Sequence, residues 1–283
     1  MHIAIVIPAF NEEALIAQTL ESLCDQTHPA AQIVVVDDNS TDHTYDIAAS
    51  FITRLPLQVI RNSSSAENIP GAKVIQAFKK GLSLLDLSKY DVICKFDADL
   101  IFPTDYLEQI VVRFRESDTI GMVAGHCTIE KNGSWVLENQ NNPDHIRGAL
   151  KAYRINCFDA IGGLKTSIGW DTMDEMLARY NGWKVVTIEG LHVKHLKPTG
   201  VSYKPKSLRL QGEAFYKMRY GLPLTMITAI KMAFKNNNWR LIGDYLQGYF
   251  NAQKSDLDPL MTKDQGRFLR SYRWKGIKSK IGF

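Results

Sequence analysis

The stretch Ile33-Val34-Val35-Val36-Asp37-Asp38-Asn39-Ser40-Thr41-Asp42 decides the fold, because it joins an apolar run to a turn-rich acidic segment. Four consecutive β-branched residues are typical of a strand that is buried on both faces. The Asp and Asn residues that follow favour a turn at the end of this strand. In an open α/β sheet, polar residues just beyond the carboxyl ends of strands line the ligand crevice. The stretch therefore predicts such a sheet with a polar site at its edge.

Other parts of the chain repeat this order of apolar run and amphipathic segment. The predicted strands are Ile3 to Pro8, Ile33 to Val36, Leu57 to Ile60, Val92 to Phe96 and Ile120 to Cys127. The predicted helices cover about Glu13 to Leu23 and Ala72 to Leu85, and a further helix opens at Pro103. Strands that alternate with helices indicate successive β-α units and a mostly parallel sheet.

Two polar stretches and a change of pattern divide the rest of the chain. Arg61 to Pro70 is predicted to be a loop, and the Asn-rich Glu130 to Asp144 a loop or hairpin tip. From His145 onward we expect helices. We therefore predict an α/β domain over residues 1–205 and a mainly helical extension over residues 206–283.

Composition excludes several classes of protein. The 283 residues are 45% hydrophobic and 23% charged, which excludes disordered and fibrous chains. The formal charge of +4 is small for this length, and we expect no nucleic-acid partner. Cys24, Cys94, Cys127 and Cys157 are scattered, so neither a disulfide framework nor a zinc site is indicated. No secretion signal is recognisable at the start, and we expect a cytoplasmic protein.

The most apolar late segment, Leu222 to Phe234, raises the question of membrane contact. A transmembrane helix needs about 20 apolar residues, and this segment is shorter and contains Lys231. Its aromatic and basic flanks are typical of an interfacial helix, which would make the protein peripheral at the cytoplasmic face of a membrane. The alternative is a helix that packs on the main domain. The basic stretch Arg267 to Lys280 is either a solvated tail or a second contact with an anionic surface.

Acids follow several predicted strands. Asn11 and Glu12 follow the first, Asp37 and Asp38 the second, and Asp97 and Asp99 the fourth; any single pair is also compatible with capping or turn formation. Two carboxylates as close as those of Asp97-Ala98-Asp99 stay ionised in a partly buried crevice only when a cation shares them. Mg²⁺ or Mn²⁺ is the natural partner and would bridge to a diphosphate.

Three motifs together carry a resemblance to a known family. They are Ile5-Val6-Ile7-Pro8-Ala9-Phe10-Asn11-Glu12-Glu13, Val34 to Asp42, and Phe96-Asp97-Ala98-Asp99. In this order and spacing the chain resembles the family 2 glycosyltransferases. Two later stretches, Gly169 to Glu175 and Val193 to Gly200, resemble the segments that supply the family's base and end its catalytic domain. The resemblance implies a GT-A fold, which is α/β and Rossmann-like with helices flanking a mostly parallel central sheet. It also implies inverting transfer of a sugar from a nucleoside diphosphate.

Position by position, the resemblance implies roles for individual residues. The donor nucleotide would be bound by Pro8, Ala9, Asn11, Glu12, Asp37, Asp38 and Asp97. Asp99 would be the principal metal ligand, with His195 and Asp97 as further ligands. An imidazole ligand favours Mn²⁺ over Mg²⁺ without excluding Mg²⁺. Without the family, His195 would be interpreted as a surface residue at a strand edge.

At the expected catalytic base, this sequence departs from the family's usual pattern. The family usually has Glu-Asp where this chain has Trp170-Asp171. The downstream Gly182-Trp183 aligns Asp171 with the catalytic aspartate, and Asp174 is the alternative on the same helix face. Acids that merely complement a helix dipole are the structural alternative. An ionised carboxylate near its usual pKa of about 4 would accept the proton of the attacking hydroxyl.

Four further residues have both a functional and a structural interpretation. Lys73 is expected to face the diphosphate or to be an exposed helix lysine, and the segment around it has Lys79 where relatives often have Asn. Gly162 and Gly163 would let the backbone approach the acceptor, or would simply end a helix. Trp170 would stack on a sugar or pack in the core.

The expected partners follow from the resemblance. They are a UDP- or GDP-linked sugar donor and a glycan or lipid-linked acceptor of the cell envelope. Two competing hypotheses are a sugar nucleotidyltransferase and an inactive glycan- or nucleotide-binding scaffold. The first would need a Gly-rich basic loop after the first strand, where this chain has Pro8 to Glu12. The second would have no use for a base.

Overall fold

The computed structural model describes residues 1–63, 71–138, 145–197 and 205–281, the last range without the side chains of residues 205–207 and 280–281. Most of the predicted loop Arg61 to Pro70 and the end of the predicted loop Glu130 to Asp144 lie outside these residues. So does Pro198-Thr199-Gly200, the last part of the stretch that begins at Val193.

The predicted elements are largely present, and their bounds are as follows. The strands are β1 Ile3–Ala9, β2 Gln32–Asp37, β3 Leu57–Arg61, β4 Val92–Phe96, β5 Leu100–Ile101, β6 Ile120–Lys131, β7 Ser134–Leu137, β8 Leu150–Arg154 and β9 Lys184–His195. The α-helices are α1 Ile16–Cys24, α2 Thr44–Ala49, α3 Ala72–Leu82, α4 Tyr106–Arg115, α5 Ile155–Ala160, α6 Trp170–Tyr180, α7 Pro205–Lys217, α8 Leu222–Lys235, α9 Arg240–Lys254 and α10 Lys263–Ile281.

The strands form a mixed sheet in the order β3-β2-β1-β4-β8-β6-β9-β5, with β7 paired to β6. The first half is parallel, as predicted: β1 pairs with β2 and β4, and β2 pairs with β3. Beyond β4 the sheet is mixed, because β8 runs antiparallel to both β4 and β6 while β6 and β9 are parallel. The predicted α/β class is confirmed, and the parallel part is smaller than expected.

The strand β8 corrects the expectation that helices resume at His145. Lys151 and Arg154 give this segment a polar appearance, yet Lys151 is fully buried because Asp174 neutralises it from a neighbouring helix. In antiparallel register with β4, Leu150 pairs with Phe96. β8 therefore starts at the edge of the sheet where β4 ends.

Several helix starts differ from the prediction by one turn. α1 starts at Ile16 rather than near Glu13, because the carbonyl of Glu12 accepts from Leu15 N and Ile16 N, at 3.0 and 2.9 Å. α4 starts at Tyr106 rather than at Pro103, whose carbonyl accepts from Tyr106 N at 3.1 Å. In both places a turn precedes the helix.

The helices after residue 205 pack together through a glycine seam between α7 and α9. A Cβ on Gly212 would lie 2.0 Å from the Tyr245 carbonyl oxygen, and one on Gly248 would lie 1.9 Å from the Arg209 carbonyl oxygen. Only glycine permits so close an approach of two helix backbones. Side chains of this extension, including Phe215 and Leu269, belong to the same buried hydrophobic cluster as the sheet.

The segment that raised the membrane question forms the helix α8, Leu222–Lys235. One side of it is buried and another is exposed, so it both packs on the protein and presents apolar residues to solvent. In the described part of the chain, no helix combines the length and the hydrophobicity needed to cross a bilayer.

Candidate functional site

The carboxyl ends of β1 and β2 lie side by side and carry two buried acids. Asp37 and Asp38 are 2% and 5% exposed. The Asp38 N–H donates to the Ala9 carbonyl at 2.8 Å, and its Oδ1 accepts from Asn62 Nδ2 at 2.7 Å. Asp37 Oδ1 accepts from Ser40 N at 3.3 Å. Both acids thus keep part of their hydrogen-bonding capacity at the edge of the crevice.

The loop after β1 is tied to the loop after β2 by Asn11. This residue has φ of +53°, a conformation that Asn tolerates better than most residues. Its Oδ1 accepts from Thr41 N at 2.9 Å, and its own N–H donates to Ser40 Oγ at 2.9 Å. Asn11 therefore shapes the predicted nucleotide pocket through the backbone, while Pro8 is buried at the end of β1.

Lys73 lies in the first turn of α3 and is half-buried. Its ammonium is 5.7 Å from the centre of the Phe10 ring, which is 50% exposed. The side chain therefore reaches toward the loop after β1, and its contact with a diphosphate stays a prediction.

The turn Asp97-Ala98-Asp99 is pinned by its neighbours. The Asp97 N–H donates to the Ala149 carbonyl at 2.9 Å, which fixes the turn to the start of β8. Thr19 of α1 donates through Oγ1 to the Ala98 carbonyl at 2.8 Å and accepts from Leu100 N at 3.0 Å. Lys95, almost fully buried, forms an ion pair with Asp97. The position of the turn is thus set by the strand on one side and by a helix on the other.

The pairing of β5 with β9 brings His195 to Asp99. Leu100 pairs with His195, and the Leu196 N–H donates to the Asp99 carbonyl at 2.9 Å. His195 Nε2 lies 3.4 Å from Asp99 Oδ2, and its Nδ1 lies 3.0 Å from Glu138 Oε2. The ring is only 3% exposed, so the interpretation of His195 as a surface residue was wrong.

These residues fit a divalent cation. One ligand atom each from Asp97, Asp99 and His195 lies within 4.8 Å of the others. Among the described residues, the buried Asp99 Oδ1 has no hydrogen-bond partner, as expected where an ion completes its coordination. Glu138 accepts from one nitrogen of His195 and leaves the other for a metal, the usual arrangement around ligating histidines.

A second group of potential ligands, Cys127 with Glu138 and His195, fits less well. Burial, together with the charge of Glu138, raises the pKa of the Cys127 thiol well above its ordinary value, whereas the thiolate is the form that ligates. Burial alone would lower the pKa of His195, but hydrogen bonds to Asp99 and Glu138 outweigh burial and raise it to about 9. A metal at this position would therefore displace a proton from His195.

Glu12 also faces this group. Its Oε1 accepts from Lys197 Nζ at 2.8 Å. Burial raises the pKa of Glu12, Lys197 opposes that shift, and the charges of Asp99 and Asp97 add to it. The predicted nucleotide-binding and metal-binding residues thus lie within electrostatic reach of one another.

The predicted base lies at the start of α6. Gly169, with φ of +74°, precedes the helix and turns the chain into it. The Asp171 side chain is 29% exposed, and its Oδ2 lies 3.5 Å from His145 Nε2. Burial alone would raise the pKa of Asp171, but the contact with His145 and the charge of Lys151 outweigh burial and lower it. The carboxylate is therefore ionised, held in place and still accessible.

The alternative base, Asp174, is buried in an ion-pair network. Its side chain is 2% exposed, and both oxygens accept from Lys151 Nζ, at 2.7 and 2.8 Å. The Tyr153 hydroxyl donates to its Oδ2 at 2.5 Å. Burial raises the pKa of Asp174 even though Lys151 opposes the shift. An acceptor sugar has no access to this carboxylate.

Glu175 holds His145 on the side opposite Asp171. Its Oε1 lies 2.9 Å from His145 Nδ1 and accepts from Ile146 N at 2.9 Å. Burial alone would lower the pKa of His145, but the contacts with Asp171 and Glu175 outweigh burial and raise it to about 9. His145 is thus a cation between two carboxylates.

Two buried lysines connect the predicted metal ligands with the predicted base. Lys95 of β4 and Lys151 of β8 are register partners, and their ammonium groups lie 5.3 and 5.5 Å from the centre of the Trp170 ring. Lys95 also pairs with Asp97, and Lys151 donates to the Asp171 carbonyl at 2.5 Å. Acids from distant parts of the sequence therefore share one site.

The residues predicted to contact the acceptor match their structural alternatives. Trp170 is only 7% exposed and packs against the two lysines and Gly148, so its ring is a core residue. Gly162 and Gly163 have φ of +67° and +65° and follow the end of α5. The Gly163 N–H donates to the Phe158 carbonyl at 3.1 Å, as in a helix stop.

The sequence analysis did not identify Lys95, Glu138, His145 and Lys151. Glu138 lies inside the polar stretch that had been interpreted as a loop, His145 directly follows that stretch, and the partners of both are distant in sequence. Lys95 has a sequence signal, which is a charged residue within the otherwise apolar strand β4, whereas the polar sequence of β8 gives no such signal for Lys151.

The fold and these contacts define an α/β protein whose strand-end acids and a helix carboxylate share one polar site. Residues 4–168 match the model for "Glycosyl transferase family 2". The chain therefore belongs to glycosyltransferase family 2.

Relatives in sequence are also glycosyltransferases. The chain is 30% identical to the "Probable glycosyltransferase YdaM" of Bacillus subtilis over 268 residues, which are 88% of this chain and 61% of that protein. It is 32% identical to a "Beta-monoglucosyldiacylglycerol synthase" of Nostoc sp. over 124 residues, which are 43% of this chain and 25% of that one. The chain thus spans less than two thirds of both relatives.

Solved structures show the same GT-A fold. Residues 1–349 of Staphylococcus aureus TarS in complex with UDP-GlcNAc superpose with a TM-score of 0.59 at 17% identity, covering 95% of this chain and 78% of that one. A mannosyltransferase from Pyrobaculum calidifontis in complex with GDP-Man and Mn²⁺ also has a TM-score of 0.59, at 15% identity, covering 98% and 80%. At these identities the likeness concerns the fold alone.

Proposed function

We propose that this protein transfers a sugar from a nucleoside diphosphate to an acceptor hydroxyl with inversion at the anomeric carbon. The observation that carries the proposal is the presence in one site of an accessible, ionised Asp171 and of a buried Asp99, one oxygen of which has no hydrogen-bond partner among the described residues. Asp171 is suited to accept a proton, and Asp99 is suited to hold a cation at a leaving diphosphate. The membership of family 2 supports the same reaction class.

In this mechanism Asp171 deprotonates the acceptor hydroxyl as it attacks from the face opposite the diphosphate. His145 and Glu175 keep that carboxylate ionised and oriented. Asp97, Asp99 and His195 would hold Mn²⁺ or Mg²⁺, and the bound ion supplies charge neutralisation for the departing diphosphate. The imidazole favours Mn²⁺.

The donor lies along the ends of β1 and β2 in this proposal. Asp37 and Asp38 are the candidates for contacts with the base and ribose, and Lys73 faces the diphosphate. The backbone of Pro8 and Ala9, the loop held by Asn11, and Glu12 with its Lys197 partner form the rest of the pocket. The two solved structures of similar fold contain UDP-GlcNAc and GDP-Man, so UDP- and GDP-sugars are the first donors to test.

The acceptor is proposed to be a cell-envelope glycan or a lipid-linked acceptor, reached from the cytoplasmic face of the membrane. The names of two relatives support this choice. One is the glucosyldiacylglycerol synthase of Nostoc, and the other is the "Poly(ribitol-phosphate) beta-glucosyltransferase" of Bacillus spizizenii, which is 37% identical over 97 residues.

The experiment that tests the transferase measures the release of free UDP or GDP from a panel of donor sugars with Mn²⁺. Loss of a general base lowers the rate by about 10²- to 10⁴-fold, so we expect Asp171→Asn to reduce release to that extent. We expect Asp171→Asn to keep donor binding, measured as the rise in melting temperature with donor and Mn²⁺.

Asp99→Asn tests metal binding independently of the predicted base. It should abolish the rise in melting temperature that Mn²⁺ produces in the wild type, and EDTA should reproduce its loss of activity. Binding of a donor without release by the wild type would instead identify an inactive binding scaffold. Equal activity of Asp171→Asn and the wild type would exclude Asp171 as the base.

A further inference from the structure

One side of α8 exposes a continuous row of apolar side chains. Its members are Leu222, Met226, Ile227, Ile230 and Phe234, each between 37% and 67% exposed, and Trp239 with 57% exposure. Spacings of three and four residues place the first five on one face of the helix. The Trp239 ring lies 4.6 Å from the Phe234 ring and extends the row. We call these six residues the α8 ridge.

The opposite side of the helix already has its packing partners. Leu224, Thr225, Ala229 and Ala233 are at most 2% exposed. The α8 ridge is therefore not needed to hold the helix on the protein. Contiguous exposed apolar surface of this kind marks an interaction site in a soluble domain.

The charge around the α8 ridge is of one sign. Lys231, Lys235 and Arg240 are exposed beside it, and residues 222–243 contain no Asp or Glu. The first acid after this range, Asp244, is paired with Arg209 at 3.4 Å. The ridge is thus an apolar strip with a basic border.

The same asymmetry extends to the whole C-terminal part of the chain. Residues 205–281 contain fifteen Lys and Arg residues and five Asp and Glu residues, whereas the complete chain has 34 and 30. Residues 205–281 therefore carry a formal charge of +10, and the rest of the chain carries −6, so the α/β part is net acidic. A charge separation of this size orients the molecule toward an anionic surface.

We propose that the α8 ridge docks the protein on an anionic lipid bilayer. The apolar side chains would enter the boundary between headgroups and acyl chains, and the three basic residues would meet lipid phosphates. Trp239 has the amphipathic ring that is enriched at this depth. A second copy of the chain is a poorer partner, because two basic borders would repel each other. A soluble polyanion would satisfy the charges and leave the ridge in water.

The test is sedimentation of the complete chain with sucrose-loaded vesicles, without nucleotide or metal. Vesicles of phosphatidylcholine with about one third phosphatidylglycerol are compared with phosphatidylcholine alone. We expect binding to the anionic vesicles only, and weaker binding as salt increases, because electrostatic attraction to anionic lipid is screened.

Two substitutions and one control measure the apolar part. Ile230→Glu and Phe234→Glu should each lower the vesicle partition coefficient about tenfold or more, because each removes an exposed apolar side chain that would enter the bilayer. Val112→Glu on α4 is the matched control, since Val112 is also an exposed helical residue, at 50%. It should bind like the wild type. Unchanged melting temperatures verify that the variants are folded.

The electrostatic part has its own matched pair. Replacing Lys231 and Lys235 together by Gln should reduce binding roughly 25-fold, at about fivefold for each lysine near the surface. The same change at the exposed Lys80 and Lys131 should have no effect. Nucleotide release by Ile230→Glu in vesicle-free buffer should equal that of the wild type, which separates this proposal from the transferase activity.

Three outcomes would overturn the proposal. The first is that the wild type sediments with neither vesicle. The second is that Ile230→Glu and Phe234→Glu bind as well as Val112→Glu. In the third, soluble polyphosphate binds the chain as strongly as the vesicles do, and Ile230→Glu leaves that binding unchanged, which would assign the basic border to a polyanion instead.

Discussion

The two acidic clusters of the site differ in how their charge is balanced. At the turn after β4, one oxygen of the buried Asp99 has no hydrogen-bond partner in the described part of the chain. At the start of α6, Asp171, Asp174 and Glu175 each contact His145 or Lys151. The first cluster thus leaves a position for an exchangeable cation, whereas the second has its cations built into the chain.

The two clusters should therefore respond to different changes in conditions. A carboxylate whose partner is an ion from solution responds to metal concentration and to chelators. Carboxylates whose partners are Lys and His respond to pH and to mutation of those partners. The three predictions below distinguish the clusters on this basis.

The largest effect is expected in the α6 cluster, from Lys151→Met. Lys151 is fully buried, and its removal leaves Asp174 and Glu175 without their main cation. Breaking a buried ion pair costs about 3–5 kcal/mol, so we expect a loss of that size in the free energy of unfolding, measured by urea denaturation. Lys80→Met, at an exposed position of α3, is the control. A loss as small as that of the control would mean that the cluster is not held by Lys151.

A smaller effect is expected from Glu138→Gln, which changes the surroundings of Asp99 and His195. Glu138 accepts from His195 Nδ1 at 3.0 Å and so directs Nε2 toward Asp99. Loss of such a partner weakens metal binding by about 10- to 100-fold, which calorimetric titration with Mn²⁺ would measure. Glu130→Gln, at an exposed position of β6, should not change the affinity. Unchanged affinity in Glu138→Gln would show that His195 is not a ligand through Nε2.

The smallest effect, taken per pH unit, is the contribution of His145 to the pH dependence of the free energy of unfolding. Its pKa is raised to about 9 in the folded protein, against an ordinary value of 6.5. Its contribution to stability is therefore complete below pH 6.5 and is lost as the pH rises to about 9. Over this range the free energy of unfolding should fall by up to about 1.4 kcal/mol per pH unit because of this group.

His145→Asn should remove that share of the slope, as measured by urea denaturation from pH 6 to pH 9 in the presence of EDTA. His43→Asn, at an exposed ring, is the control and should keep the wild-type slope. The hypothesis of a charged His145 fails if both variants and the wild type give the same slope.

The sequence predicted the parallel half of the sheet well, because its strands need no partner to be recognised. Runs such as Ile33 to Val36 are apolar throughout and stay buried in any α/β arrangement. The strand β8 was missed because its burial depends on Lys151 meeting Asp174, more than twenty residues later. Local patterns carry no information about such a pairing.

The same limit applies to the site. Asp97, Asp99, Asp171 and His195 were identified from motifs whose order is shared with the family, and the structure brings them into one site, although their roles stay predictions. Glu138 was missed because it lies in a polar stretch without periodicity, and His145 because it directly follows that stretch. The alternation along β9, with His192 exposed and His195 buried, is a signal that could have identified His195 without the family.

The glycine seam between α7 and α9 fixes the spacing of the whole C-terminal assembly. A single methyl group at Gly212 or Gly248 would collide with a carbonyl of the opposite helix, so any larger pair of residues must separate the two axes. Because α8 packs on α9, that separation would also shift the outward face of α8 relative to the sheet. Two residues without a functional side chain thus set how closely α7 and α9 pack and, through α9, where α8 lies.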